Sequence, residues 1–190
     1  MKLPINVVPG DIVNGMRTDS EWVRAALERF EGPLIRYAAR MVGSVEAARD
    51  VVQDVFVRLC AADRAQVDGH LAAWLYTVCR NRALDVARKE RRMVPLNEAV
   101  ANQEARGHSA SVLAERSDTH SAVLAIVDTL PEQQQEVVRL KFQDALSYKE
   151  ISEATGLSVS NVGFLLHTAI KTIRRQVATQ TDLLDAGDRS

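Results

Sequence analysis

Apolar residues recur every three or four positions along most of this chain, the repeat that lines one face of an α-helix. In ARDVVQDVFVRLC, residues 48–60, the apolar side is Val51, Val52, Val55, Phe56 and Leu59, and the polar side carries Asp50, Gln53, Asp54 and Arg58. In residues 70–92, Leu71, Leu75, Val78, Cys79, Ala83, Val86 and Ala87 follow one another at helical spacing and predict one buried face. Val137, Val138, Leu140 and Phe142 predict another, and Val162, Leu165, Leu166, Ala169, Ile170 and Ile173 a fourth. No stretch alternates apolar and polar long enough to predict a strand. The chain therefore reads as all-α.

The stripes fall into two groups. Helical signals begin near Ser20, which reads as an N-cap, and continue to Arg92; they fade over residues 93–118 and return from Thr119 to Ala178. The expected organisation is an N-terminal extension (1–19), a helical domain (20–92), a flexible linker (93–118), a second small helical domain (119–178) and a fraying tail (179–190). The linker holds Glu98, Glu104, Glu115 and Asp118 against Arg106 and Arg116, which makes it acidic.

The second group contains LSYKEISEATGLSVSNVGFLLHTAIK, Leu146 to Lys171. Ser147-Tyr148-Lys149-Glu150 fits a capping box, in which the serine hydroxyl and the glutamate carboxylate each accept from the other's backbone amide. Gly156 supplies a left-handed turn residue, and Ser158 or Ser160 can cap the helix that follows. Upstream, Leu130-Pro131-Glu132 places proline at the opening of a supporting helix. Helix, glycine turn and helix behind a support is the pattern of a helix-turn-helix; a plain helical hairpin is the competing reading. The second helix would expose Ser160, Asn161, Gly163, Phe164, His167, Thr168 and Lys171. Ser, Asn and Thr can hydrogen-bond base edges or phosphates, and Phe164 can touch a thymine methyl. Lys171, Arg174 and Arg175 can hold phosphates. Gly163 costs roughly 1 kcal/mol against Ala inside a helix, and reads either as close backbone approach to DNA or as tight helix packing.

Charge separates the two groups. The formal net charge is −1, so no global field draws the chain to nucleic acid. Residues 128–175 balance six cations against six carboxylates, which predicts weak binding to DNA by this part alone. Residues 70–92 differ: Arg80, Arg82, Arg88, Lys89, Arg91 and Arg92 outnumber Asp85 and Glu90. Trp74 and Tyr76 stand at the head of this basic helix. Cations with rings suit single-stranded nucleic acid, charge following the backbone and rings stacking on bases; a solvated basic face with Trp74 in the core is the alternative.

Other chemistries find little support. Cys60 and Cys79 lack metal-ligand spacing and read as small buried apolar residues. His70, His108, His120 and His167 form no triad or metal pattern, and Asp50 with Asp54 lacks a companion nucleophile or glycine loop. No cofactor is expected. No apolar run approaches the roughly 20 residues of a membrane span.

Three blocks together, RDVVQDVFVRL, AWLYTVCRNRALDVARKERR and LPEQQQEVVRLKFQDALSYKEISEATGLSVSNV, resemble bacterial RNA polymerase sigma factors of the sigma-70 family, in the compact extracytoplasmic-function (ECF) subfamily. The resemblance covers roughly residues 22–177. It implies a non-enzymatic, cytoplasmic, nucleoid-associated protein built from sigma regions 2 and 4. It implies that Asp50, Gln53, Asp54 and Arg58 meet the clamp helices of the core polymerase's largest subunit, and that the second domain meets the second-subunit flap. Residues 61–70 and the helix after them would melt the minus-ten element, with Trp74, Tyr76, Asn81 and Arg82 at the bases and Arg88, Lys89, Arg91 and Arg92 on the backbone. The minus-thirty-five element would be read by Ser158, Ser160, Asn161, Phe164, His167, Thr168, Lys171 and Arg174. An anti-sigma factor is a further implied partner. The sequence departs from the family where Gly163, Leu165, Thr168 and Ile170 stand at positions often filled by Lys or Arg. The alternative function is a stand-alone helix-turn-helix regulator that binds an operator as a dimer.

Overall fold

The structure, a computed structural model, describes residues 9–93 and 118–187, with side chains over residues 19–92 and 123–179. The described residues form helices and no strand. Helix α1 spans Pro9–Val42, α2 Val45–Ala61, α3 Arg64–Val67 and α4 Leu71–Met93, with a 3-10 turn at Asp68–His70 before α4. Residues 94–117 of the expected linker lie outside the described residues; after them come α5 (Asp118–Asp128), α6 (Glu132–Phe142), α7 (Tyr148–Thr155) and α8 (Val159–Gly187).

Ser20 does not cap the first helix, because α1 already starts at Pro9 and Ser20 lies inside it. The expected extension therefore overlaps a helix. The expected tail does as well, since α8 continues to Gly187. A hydroxyl residue before an apolar stripe is only a local signal, and it competes with the cooperative extension of a helix already nucleated.

Gly43 ends α1 in a left-handed conformation, φ 75°, that residues with a Cβ disfavour. Ser44 then starts α2, its hydroxyl accepting from the Ala47 amide at 3.3 Å. This two-residue break folds α2 back on α1. Leu34, Val51, Val55, Leu59, Leu75, Cys79 and Ala83 are buried between α1, α2 and α4. In the second group Val137, Leu140, Ile151, Val162, Leu166 and Ala169 are buried among α6, α7 and α8. The short polar bridge of Arg139 to Asp128 ties α6 to α5.

The two groups are in contact. Helix α4 packs on α7, and the buried residues of both groups form one continuous cluster. Consequently α4 is covered on two sides, which a single stripe along residues 71–87 does not foresee.

Candidate polymerase and nucleic-acid interfaces

The polar side of α2 emerges as expected. Asp50, Gln53 and Arg58 are exposed and Asp54 is half-buried. Val57 lies on the same side and is 62% exposed, an apolar residue between the charged ones. Sequence reasoning passed over it, yet the signal was present: residue 57 is off the stripe and one turn from Gln53 and Asp54. Asp54 is not isolated. Its Oδ2 accepts from Arg82 Nε of α4 at 2.6 Å. A residue implied for polymerase contact is thus held against one implied for DNA contact.

The connection from α2 to α4 is organised rather than open. Residues 64–67 and 68–70 form short helical turns. Asp63 caps them, accepting from the Ala65 amide at 3.0 Å and from Gln66 Nε2 at 3.1 Å, and Val67 is buried beneath. Trp22 of α1 reaches across, its Nε1 donating to Asp68 Oδ1 at 2.8 Å, and the Arg64 guanidinium sits 5.5 Å from the Trp22 ring centre. No local pattern marks Trp22, because its partners are more than 40 residues away in sequence.

Along α4, Asn81, Arg88, Lys89, Arg91 and Arg92 are exposed. Arg88 Nη1 lies 3.8 Å from Asp85 Oδ1, a surface pair of little energetic weight. Trp74 is half-buried and packs against the core. Tyr76 corrects its assignment. It is 1% exposed, its ring meets that of Tyr37 edge-on at 5.2 Å, and it cannot stack on a base without leaving the core. The cause is the second covered side of α4. Cys79 is buried as expected, and burial pushes its thiol up to about 12, so it stays protonated at neutral pH. Cys60 is exposed, contrary to expectation, since it follows the last stripe residue of α2.

The helix-turn-helix is closed by the predicted chemistry. Ser147 Oγ accepts from the Glu150 amide at 3.2 Å, and Glu150 Oε2 accepts from the Ser147 amide at 2.7 Å. Gly156 ends α7 at φ 75°. Ser158 starts α8, its hydroxyl accepting from the Asn161 amide at 3.2 Å, so one implied base contact also caps the helix. Ser160, Asn161, His167, Lys171 and Arg174 are exposed, Thr168 is half-buried, and Phe164 is 66% exposed. A Cβ at Gly163 would meet Tyr148 Cε2 of α7 at 3.7 Å, ordinary contact, so packing does not demand glycine there. Phe142, expected inside, is 64% exposed because α6 ends at it. Among the described residues no group of three or more His, Cys, Asp or Glu could hold a metal ion, and no helix is long and apolar enough to cross a membrane.

Comparisons with known proteins give the arrangement its family. The model of sigma-70 region 2 matches residues 26–93, and that of sigma-70 region 4 matches residues 120–173. The chain is 25% identical to the ECF RNA polymerase sigma factor SigW of Bacillus subtilis over 158 residues, 78% of this chain and 84% of that protein. It is 28% identical to the ECF sigma factor SigL of Mycobacterium tuberculosis over 159 residues, 80% of this chain and 86% of the other. A solved structure described as an RsbN–BldN complex aligns over 87% of this chain at 21% identity, with a TM-score of 0.30. Two family matches in this order, each falling on its own group of helices, and relatives aligned across both of them, establish that the chain belongs to the sigma-70 family of sigma factors, in its ECF subfamily.

Proposed function

We propose that this protein binds core RNA polymerase and directs promoter recognition, DNA melting and initiation, without catalysing a reaction itself. The observation that carries this reading is the succession of three exposed surfaces: the Asp50–Arg58 face of α2, the cationic end of α4, and the capped helix-turn-helix of α7 and α8. The α2 face, with Val57 among its charges, suits a charged partner helix of the largest subunit. Asn81, Arg82 and the Arg88–Arg92 cluster suit the minus-ten region, and the exposed side of α8 suits the minus-thirty-five region. The second-subunit flap is the expected partner of the second domain. An anti-sigma factor is a further proposed partner, and the cytoplasmic nucleoid the proposed location.

The near-neutral charge of the second domain fits this division of work. Phosphate neutralisation provides most non-specific affinity for DNA, and here it is small. Anchoring to the polymerase supplies a high effective concentration in its place. Transcription in vitro with bacterial core enzyme tests the proposal: the chain should confer promoter-specific starts, and failure to co-migrate with core enzyme overturns it. Nanomolar binding of isolated protein to promoter DNA at physiological salt would refute the tethering argument and favour a stand-alone regulator.

A further inference from the structure

Three segments of the second domain converge on the groove between α1 and α4. From α6, Glu136 Oε1 accepts from the Tyr37 hydroxyl of α1 at 2.7 Å and from Arg80 Nε of α4 at 3.0 Å. The side chains of Glu136 and Arg80 are only 19% and 26% exposed. From α7, the Glu153 carbonyl lies 3.3 Å from Thr77 Oγ1 of α4, whose one proton goes first to the nearer Ala73 carbonyl at 2.7 Å. Between α6 and α7, the Asp144 carboxylate is buried in the field of Arg36 and Arg40 of α1, Tyr76 of α4 and Arg139 of α6. A carboxylate is desolvated at a cost unless partners replace its water. Among the described residues, Glu136 finds those partners on the first domain. Half-buried ionic and hydroxyl contacts of this kind, set beside the shared apolar cluster, make the boundary more polar than the interior of either domain, as in interfaces between domains that separate.

The contact has a geometric consequence. Helix α7 lies on α4 and α8 lies on α7. At about 8–10 Å between packed helices, the part of α8 that packs on α7 is held within roughly 20 Å of α4. Promoter elements named for positions ten and thirty-five are about 25 base pairs apart, on the order of 85 Å of duplex. A chain in this arrangement can meet one element at most. We propose that this is a self-closed resting form, in which Glu136 latches region 4 onto the Tyr37–Arg80 groove of region 2 and withholds simultaneous reading of both elements until the latch opens. The closed form stands on the contacts alone, whereas its meaning as autoinhibition rests on the proposed function.

Small-angle scattering of the full chain tests the latch. A closed 190-residue body should have a radius of gyration near 16 Å, and two separated modules above about 20 Å. Arg80→Glu and Glu136→Arg should each expand the chain, and the double exchange should compact it again, because the pair is restored with reversed sign. The isosteric Glu136→Gln should expand it partly with helical circular dichroism intact. A wild type already expanded, single variants that stay compact, or a double exchange as expanded as the singles overturns the closed form. For the functional half, Glu136→Gln is compared with Glu132→Gln, which removes the same charge from the exposed start of α6. Glu136→Gln should tighten binding of a two-element promoter duplex by roughly tenfold more, as the competent fraction rises; equal affinities overturn the autoinhibition. Latch behaviour in scattering without any core-dependent transcription supports the closed form and overturns the polymerase reading.

Discussion

Asp54→Arg separates a structural role from a docking role at one position. Asp54 and Arg82 form a 2.6 Å pair with side chains 47% and 38% exposed. Such a pair contributes about 0–1 kcal/mol to folding. Reversal sets two guanidinium groups against each other, but in water two charges ~4 Å apart repel by about 1 kcal/mol, and both side chains have room to swing away. The stability loss should stay below about 2 kcal/mol, a drop in Tm of no more than roughly 8 °C for a chain of this size. The docking loss should be larger. A charge removed from a desolvated, hydrogen-bonded interface pair costs about 2–5 kcal/mol, so affinity for core enzyme should fall at least ~30-fold. Thermal unfolding measures the first quantity, and fluorescence anisotropy of labelled protein titrated with core polymerase the second. Asp54→Asn distinguishes loss of charge from reversal. Core affinity within threefold of wild type, with the fold intact, would refute the assignment of this face to the polymerase; a loss of stability above about 3 kcal/mol would instead make Asp54 a structural residue.

Gly156→Ala meets no neighbour within 4 Å, so only its φ of 75° opposes the change; it should cost about 1–2 kcal/mol in urea unfolding, and Gly156→Asn clearly less, whereas equal costs would show that backbone strain is not the cause. Gly163→Ala should gain up to about 1 kcal/mol of stability, and if α8 brings its backbone close to DNA there, promoter affinity should fall in a gel-shift titration while stability rises. Burial raises the Asp144 carboxyl above its ordinary 3.8 in spite of Arg40, Arg36 and Arg139. An acid raised in the folded state favours folding below its unfolded value, and that contribution is lost as pH rises through the folded value. Asp144→Asn should therefore stabilise the protein at pH 7 and lose that gain below pH 3.8, as read from urea midpoints at both pH values; destabilisation at pH 7 would mean that the arginine contacts outweigh the burial.

What could be read from the sequence was local. The α2 stripe, its polar side and the Ser147–Glu150 box each involve residues within a turn or two, so periodicity and capping rules reach them. Tyr76, Phe142 and Trp22 were misread or missed because their environments are tertiary. Tyr76 is covered from Tyr37, 39 positions away, and from the loop after α6. Phe142 lies in register with a buried face but at the last position of α6. Trp22 is defined by Asp68 and Arg64. The latch was illegible for the same reason: Glu136 sits in a polar run, QQQE, that gives no hint of two donors on another domain.

The brace from Trp22 to Asp68 and Arg64 bears on the energetics of any strand opening at that end of the molecule. Ordering one backbone residue costs about 1–2 kcal/mol at room temperature. Residues 63–70 are already fixed by a cap, a buried valine and a tryptophan clasp before any nucleic acid arrives. Their ordering is settled when the chain folds, so if this segment takes part in strand opening as the proposed function requires, less of the binding energy goes into ordering it and more is left to offset unpairing.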